Sequence, residues 1–247
     1  MIKKIILTMF CLIFGGAALA AGGAYIGESA NTNIKSQSSL QKGAKTYMNY
    51  CLGCHSMEFQ RYNRVAKDLG LTEEEMMSAL VLTDAKFVDK MTHTMTPEQG
   101  KKWFGKAPPD LTVIAKARGV DWLYNYMINF YVDPTRPSGW NNLTFPNASM
   151  PHVLWELQGI RDAKFEMHTD EAGEEHKEFV GFETIEAGQL SEQAYKSLVR
   201  DLVNFLDYSS EPAQLIRMSY APWVLLFVSL FTFLAYLLKV NYFRDVH

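Results

Sequence analysis

Cys51, Cys54 and His55 stand in a Cys-x-x-Cys-His run, the most narrowly defined chemistry in the chain. Two thiols two residues apart can capture the two vinyl groups of a haem while the adjoining imidazole meets the iron, so the run is the signature of covalent haem attachment. A thioredoxin-like redox pair shares the cysteines but has no use for His55, and it sits in a strand-helix context, whereas the residues before Cys51 have a helical period. A zinc site needs a second ligand pair, and the only other cysteine is Cys11.

The sixth ligand is less sharply marked. Most of the ten methionines outside the first twenty residues are expected to fill the core. Met150 is singled out because it lies in an irregular stretch just before Pro151, and proline holds the preceding residue extended. His152 and His93 are rivals. Met/His ligation raises a haem's potential and suits a carrier, while an open position suits peroxide or gas chemistry. Buried haem propionates need donors, for which the forked guanidinium of Arg118 is a candidate. The alternative role for Arg118 is a favourable charge at the negative end of a helix dipole.

The elements that must position these groups are marked by local signals. Ser38 with Gln41 reads as a capping box, and Leu40, Ala44, Tyr47 and Met48 form one helical stripe leading straight into Cys51. Thr72 with Glu75, Thr96 with Pro97 and Gln99, Asp110 before LTVIAKAR with Gly119 behind it, and Asp121 before WLYNYMINFY open further short helices. From Asp133 to Pro151 the chain reads as a long irregular loop. Lys164 to Glu186 alternates weakly, as a small hairpin turning near Gly173, and it is the acidic pole of the chain. Ser191 opens a helix through about Asp207 with Leu198, Leu202, Phe205 and Leu206 inward, and Pro212 closes that unit.

Both ends point to export and a membrane. Lys3-Lys4, an apolar run from Ile5 and the small tripeptide Ala18-Leu19-Ala20 have the layout of a secretory signal peptide, cleaved after Ala20, which also removes Cys11. Ala221 to Leu238 is an uncharged apolar run of about 18 residues, enough for a span of about 27 Å. Tyr220, Trp223, Tyr236 and Tyr242 supply interfacial belts, and Lys239 with Arg244 beyond the run agree with a cytoplasmic C-terminus. The formal charge is -3, and about -5 without Lys3 and Lys4. That balance excludes a nucleic-acid partner and suits a basic soluble one.

SLQKGAKTYMNYCLGCHS, RYNR, the APPDL run, IAKARG and FPNASMPHVLWELQG occur in order and resemble the cytochrome c1 family, in its compact bacterial form. The resemblance implies a mainly α fold: a class I cytochrome c-like haem domain with insertions, a small β-hairpin and one C-terminal transmembrane helix. Its expected organisation is a signal peptide over 1–20, a periplasmic haem domain over 21–216, a transmembrane helix over 217–239 and a cytoplasmic tail over 240–247.

By position in the matched motifs, Cys51 and Cys54 carry one covalent haem c, His55 and Met150 ligate the iron, Arg118 meets a propionate, and Pro108 and Pro109 line the haem crevice. The implied role is that of a redox subunit, no enzyme on its own, in a quinol:cytochrome c oxidoreductase of the bacterial inner membrane. Its partners there are cytochrome b, a Rieske iron-sulfur protein as donor, and a soluble or tethered cytochrome c as acceptor. The chain lacks the additional cysteine pair that staples some bacterial relatives, so the Met150 loop is expected to be held by packing alone. Two other classes share the haem motif: a free-standing or oxidase-linked anchored carrier, and a haem enzyme or gas sensor with a labile sixth position.

Overall fold

The computed structural model describes residues 27–169 and 175–244. Residues 1–26, with the expected signal peptide and Cys11, residues 170–174, with the expected turn near Gly173 and with Asp170, Glu171 and Glu174 of the acidic stretch, and the last three residues lie outside them. Helices α1 (Gln37–Tyr50), α2 (Tyr62–Asp68), α3 (Glu73–Ala79), α4 (Pro97–Phe104), α5 (Ile114–Arg118), α6 (Val120–Ile128) and α7 (Trp155–Gln158) precede two long ones, α8 (Glu192–Ser210) and α9 (Gln214–Tyr242). Among them lie three antiparallel pairs: β1 (Met57–Arg61) with β2 (Lys90–Met91), β3 (Phe130–Val132) with β4 (Trp140–Asn142), and β5 (Gly159–Thr169) with β6 (Glu175–Ala187). The fold is therefore mainly α with small sheets.

The core forms where α1 crosses α8. Leu40, Ala44, Tyr47 and Met48 are all buried, as their helical spacing requires, and they meet Leu202, Phe205 and Leu206. Gly43 makes the crossing close: a Cβ there would stand 2.0 Å from the Asp201 carbonyl oxygen. Tyr47 and Phe205 rings lie 5.7 Å apart, and α5 and α6 also pack on α8. Each of three buried phenols finds an acceptor: Tyr47 Oη donates to His55 O at 2.7 Å, Tyr195 to Met127 O at 2.9 Å, and Tyr208 to Asp68 at 2.8 Å. A buried hydroxyl without such a partner costs about 1–3 kcal/mol.

Several starts follow the local signals and several do not. Thr72/Glu75 and Thr96/Gln99 are reciprocal capping boxes, with Pro97 in the first turn of α4, and Ser191 caps α8 by accepting from Ala194 N. Ser38 is no cap. α1 begins two residues earlier than a Ser38 cap implies, behind Ser36, and Gln41 instead donates to Leu69 O at 2.8 Å. Asp110 does not open α5, which starts four residues later. Its carboxylate accepts from Glu58 N and Thr112 N, both at 2.8 Å. Asp121 lies inside the first turn of α6 and takes Ser29 Oγ and Ala30 N, so Gly119, at φ 89°, occupies the cap.

The stretch read as loop from Asp133 also needs correction. α6 stops at Ile128, Phe130–Val132 turns extended, and it pairs with Trp140–Asn142, so a short hairpin interrupts the irregular segment. β5 and β6 form the predicted hairpin in register from Gly159↔Ala187 to Thr169↔Glu175. Phe165 and Phe179 face each other across it, 6.0 Å apart. On the acidic pole Lys164 joins Glu183 at 2.6 Å and Asp162 at 3.3 Å. α9 is one continuous helix with mean hydropathy 2.1 over its most apolar 18 residues, none of them buried. Apolar side chains exposed on every face are those of a helix made for lipid.

Candidate functional site

The Cys-x-x-Cys-His run closes the C-terminal end of α1. Cys51 N and Leu52 N both donate to Tyr47 O, at 2.9 and 3.0 Å. Cys54 N and His55 N both donate to Cys51 O, at 3.0 and 2.8 Å. These bonds roll the run into successive turns, stacking His55 one turn past Cys51. The thiols are free of each other. Burial raises both thiol pKa values, that of Cys51 to about 12 with Cys54 adding to it. A redox dithiol is tuned the other way, with its thiolate favoured at a helix N-terminus. Here the negative end of the α1 dipole opposes a thiolate.

His55 is oriented from outside its own turn. Its Nδ1 lies 2.8 Å from Pro109 O. A carbonyl oxygen can only accept, so Nδ1 carries the proton and the lone pair of Nε2 is left for a metal, the usual arrangement of a ligating histidine. Burial lowers the pKa of the ring, which keeps that lone pair available. Pro109 is held in place in turn: Leu111 N donates to Ser56 O at 2.8 Å, and the Asp110 carboxylate takes Glu58 N. Pro108 packs on α4, where a Cβ on Gly100 would come within 2.7 Å of its Cδ. The sequence pointed to the Pro109 ring as a wall; the structure adds its carbonyl as the histidine's partner.

Arg118 ends α5, exposed, with its guanidinium carbon 5.1 Å from the Trp122 ring centroid and 5.9 Å from that of Phe145. No carboxylate pairs with it among the described residues. Its charge is thus free for an anion, whereas a helix-end charge alone needs no aromatic neighbours.

Met150 is half-buried against the core. Its loop is held by more than packing, which corrects the expectation drawn from the missing cysteine pair. Asn142, wholly buried, donates to Tyr126 O at 2.7 Å and accepts from Thr144 N and Phe145 N at 2.9 and 3.1 Å. Asn141 accepts from Asn147 N at 2.8 Å and donates to Asp133 at 2.8 Å. Two asparagine side chains thus fasten this loop to α6 and to Asp133. Asn142→Ala is expected to lower stability by roughly 2–4 kcal/mol, because three backbone groups lose partners. A denaturant midpoint that does not move would show that water satisfies them.

The rival histidines keep ring nitrogens without hydrogen-bond partners among the described residues, both of His152 and Nδ1 of His93, in two different surroundings. His152 is 1% exposed, stacked 4.8 Å from Phe130 and edge-on to Trp140 and Tyr195. Burial, with the Arg161 cation adding to it, pushes its pKa down to about 3. His93 lines a cavity of about 190 Å³ with Ser56, Pro108 and Asp110, and its backbone donates to Ser56 Oγ. The sequence reading missed Arg161, whose guanidinium donates to Ile128 O and Phe130 O and lies 3.5 Å from the Phe182 centroid, tying the hairpin base to β3. It also missed Asn141 and Asn142, which looked like ordinary polar residues of an irregular loop. Among the described residues no three His, Cys, Asp or Glu side chains cluster to hold a bare metal ion. Paired free thiols, an imidazole with its distal nitrogen unprotonated and an unpaired guanidinium do fit a haem.

The model of the Cytochrome C1 family matches residues 31–246. Cytochrome c1 of Allochromatium vinosum is 48% identical over 245 residues, covering 99% of this chain and all of that protein. A protein of Nitrosomonas europaea named as an ammonia monooxygenase gamma subunit is 38% identical over 247 residues, covering 100% of this chain and 99% of its own. Cytochrome c1 of Rhodospirillum rubrum is 24% identical over 282 residues, covering 95% and 96%.

Proposed function

Because the chain belongs to the cytochrome C1 family, we propose that it is the membrane-anchored electron-transfer subunit of a quinol:cytochrome c oxidoreductase. In this reading Cys51 and Cys54 bond one haem c, His55 Nε2 and the Met150 thioether close the two faces of the iron, and Arg118 pairs with a propionate. Haem c so held supplies a reversible one-electron couple.

The residues then have simple tasks. The Pro109 carbonyl keeps His55 in one tautomer and one ring plane, so little rearrangement accompanies a change of charge. Pro108 and Pro109 exclude water from one side of the crevice, and the Asn141/Asn142 network holds Met150 in place. No substrate bond is made or broken here, so the chain alone is no enzyme. The observation that carries the reading is the 2.8 Å contact of His55 Nδ1 with Pro109 O, placed beside two neutral thiols at a helix C-terminus.

The donor is a Rieske protein, the membrane neighbour cytochrome b and the acceptor a cytochrome c, which the acidic face of the β5–β6 hairpin is suited to steer if it is basic. The haem domain lies in the periplasm and α9 crosses the inner membrane. Purification in mild detergent tests the assignment: a haem-staining band is expected with cytochrome b and the Rieske protein, with one pyridine haemochrome per chain. Copurification with a monooxygenase or a terminal oxidase, or a band without covalent pigment, would overturn it.

A further inference from the structure

The end of α8, which leads into the spanning helix, is tied to two segments of the haem domain. Gln60 Nε2 donates to Ser209 O at 2.8 Å and Ser209 Oγ to Thr112 O at 3.2 Å. Ala115 N donates to Ser210 Oγ at 3.2 Å, and Glu211 pairs with Lys116 at 3.0 Å and with Arg217 at 2.8 Å. β1 and the turn before α5 are thus anchored at the point where the chain leaves for the membrane.

On those same segments apolar side chains face outward. Phe59 is 79% exposed and Val113 53%, and the two segments touch where Phe59 N meets Thr112 Oγ1 at 3.4 Å. Val88, 56% exposed, joins them, its carbonyl held by Arg61 at 2.6 Å. Phe59 stands exposed on a strand that buries Met57 and Gln60, and with Val88 and Val113 it makes an apolar patch that is a cost in water unless something covers it.

The chain's own geometry names what lies there. The apolar run begins at Ala221, about 10 Å of helix beyond Gln214 at 1.5 Å per residue. The headgroup layer is itself roughly 5–8 Å deep on each side of the hydrocarbon. Leu215, Ile216, Met218 and Tyr220 already bring apolar surface into that interval. The joint at Glu211 therefore lies at the lipid surface. Charge agrees: exposed Arg61, Lys86, Lys90, Lys116 and Arg217 outnumber Glu58, Asp89, Asp110 and Glu211 around the patch, although the whole chain is at -3. Basic side chains around an aromatic and aliphatic tip are the composition of interfacial anchors.

We propose that Phe59, Val88 and Val113 form a foot that rests in the headgroup layer of the bilayer beside α9. The foot is a second attachment, and two attachments fix the tilt of the haem domain where a single helix would leave it free to swing. This rests on the reading of α9 as a membrane span.

The test places a p-benzoylphenylalanine photocrosslinker at Phe59 in the full chain, in native membranes, and follows the haem-staining band. The foot predicts that light adds the mass of one phospholipid to that band. The same probe at Met167, on a hairpin that packs on β3 and α7, should add none. If the Phe59 substitution prevents haem assembly, the probe at Val113 replaces it. An adduct to another polypeptide would make the patch a protein interface and overturn the proposal, as would no adduct at all. Extraction at alkaline pH separates this from the anchor itself: release of the chain from membranes would refute the span rather than the foot.

Discussion

Met150→Leu is expected to lower the haem midpoint potential by a sizeable part of the roughly 0.8 V that axial ligation commands, and to let carbon monoxide bind the reduced protein. Leucine matches methionine in volume and apolarity, and such exchanges in a half-buried site cost less than about 1.5 kcal/mol. The β3–β4 hairpin and its asparagine network do not depend on the sulfur, so the loop keeps its course while the donor atom disappears. A fall in potential with an unchanged unfolding midpoint assigns the thioether to the iron. An unchanged potential would remove Met150 from the site. His152 is poorly placed to substitute, since its ring would have to leave its stack on Phe130.

Gly43→Ala is expected to cost more than its small size suggests. By helix propensity alone the change would stabilise α1 by about 1 kcal/mol. Packing says the opposite: the new methyl would lie 2.0 Å from the Asp201 carbonyl oxygen and 2.7 Å from Phe205 Cβ. Neither neighbour is the free end of a flexible side chain, so α1 and α8 must move apart by more than 1 Å. Overpacking of this kind costs 1–3 kcal/mol or more, out of a total stability of about 5–15 kcal/mol. The same displacement disturbs Tyr47, whose hydroxyl holds His55 O and whose carbonyl starts the haem-attachment turn. Loss of haem-staining protein and a lowered urea midpoint are the expected readings. An unchanged urea midpoint together with an unchanged yield of haem-staining protein would show that the crossing is loose.

Some of the fold was readable residue by residue. Thr72 and Thr96 cap their helices because each signal is complete within four residues, and nothing distant competes for either hydroxyl. The inward stripe of α1 and the apolar length of α9 were equally local. Gln41, Asp110 and Asp121 carried the same kind of signal and did otherwise, because distant partners took their side chains. The carboxylate of Asp110 serves β1, and that of Asp121 fastens the N-terminal lead-in. The β3–β4 pair was hidden because three residues per strand give no period to read, and it is tied by Asn141 and Asn142, which bond to Tyr126 and Asp133 before them and to Thr144, Phe145 and Asn147 after them.

The proposed chemistry of attachment was legible in five consecutive residues, since thioether capture and imidazole ligation need particular atoms at a fixed short spacing. The long apolar helix was legible too, because length and apolarity are local properties. Left to the folded chain was every partner supplied by backbone or by a remote segment: the Pro109 carbonyl that sets the His55 tautomer, the asparagines that fasten the Met150 loop, the aromatic pair beside Arg118. A carbonyl has no letter in the sequence, and a contact across fifty residues leaves no local pattern, so these can be known only once the chain has closed on itself.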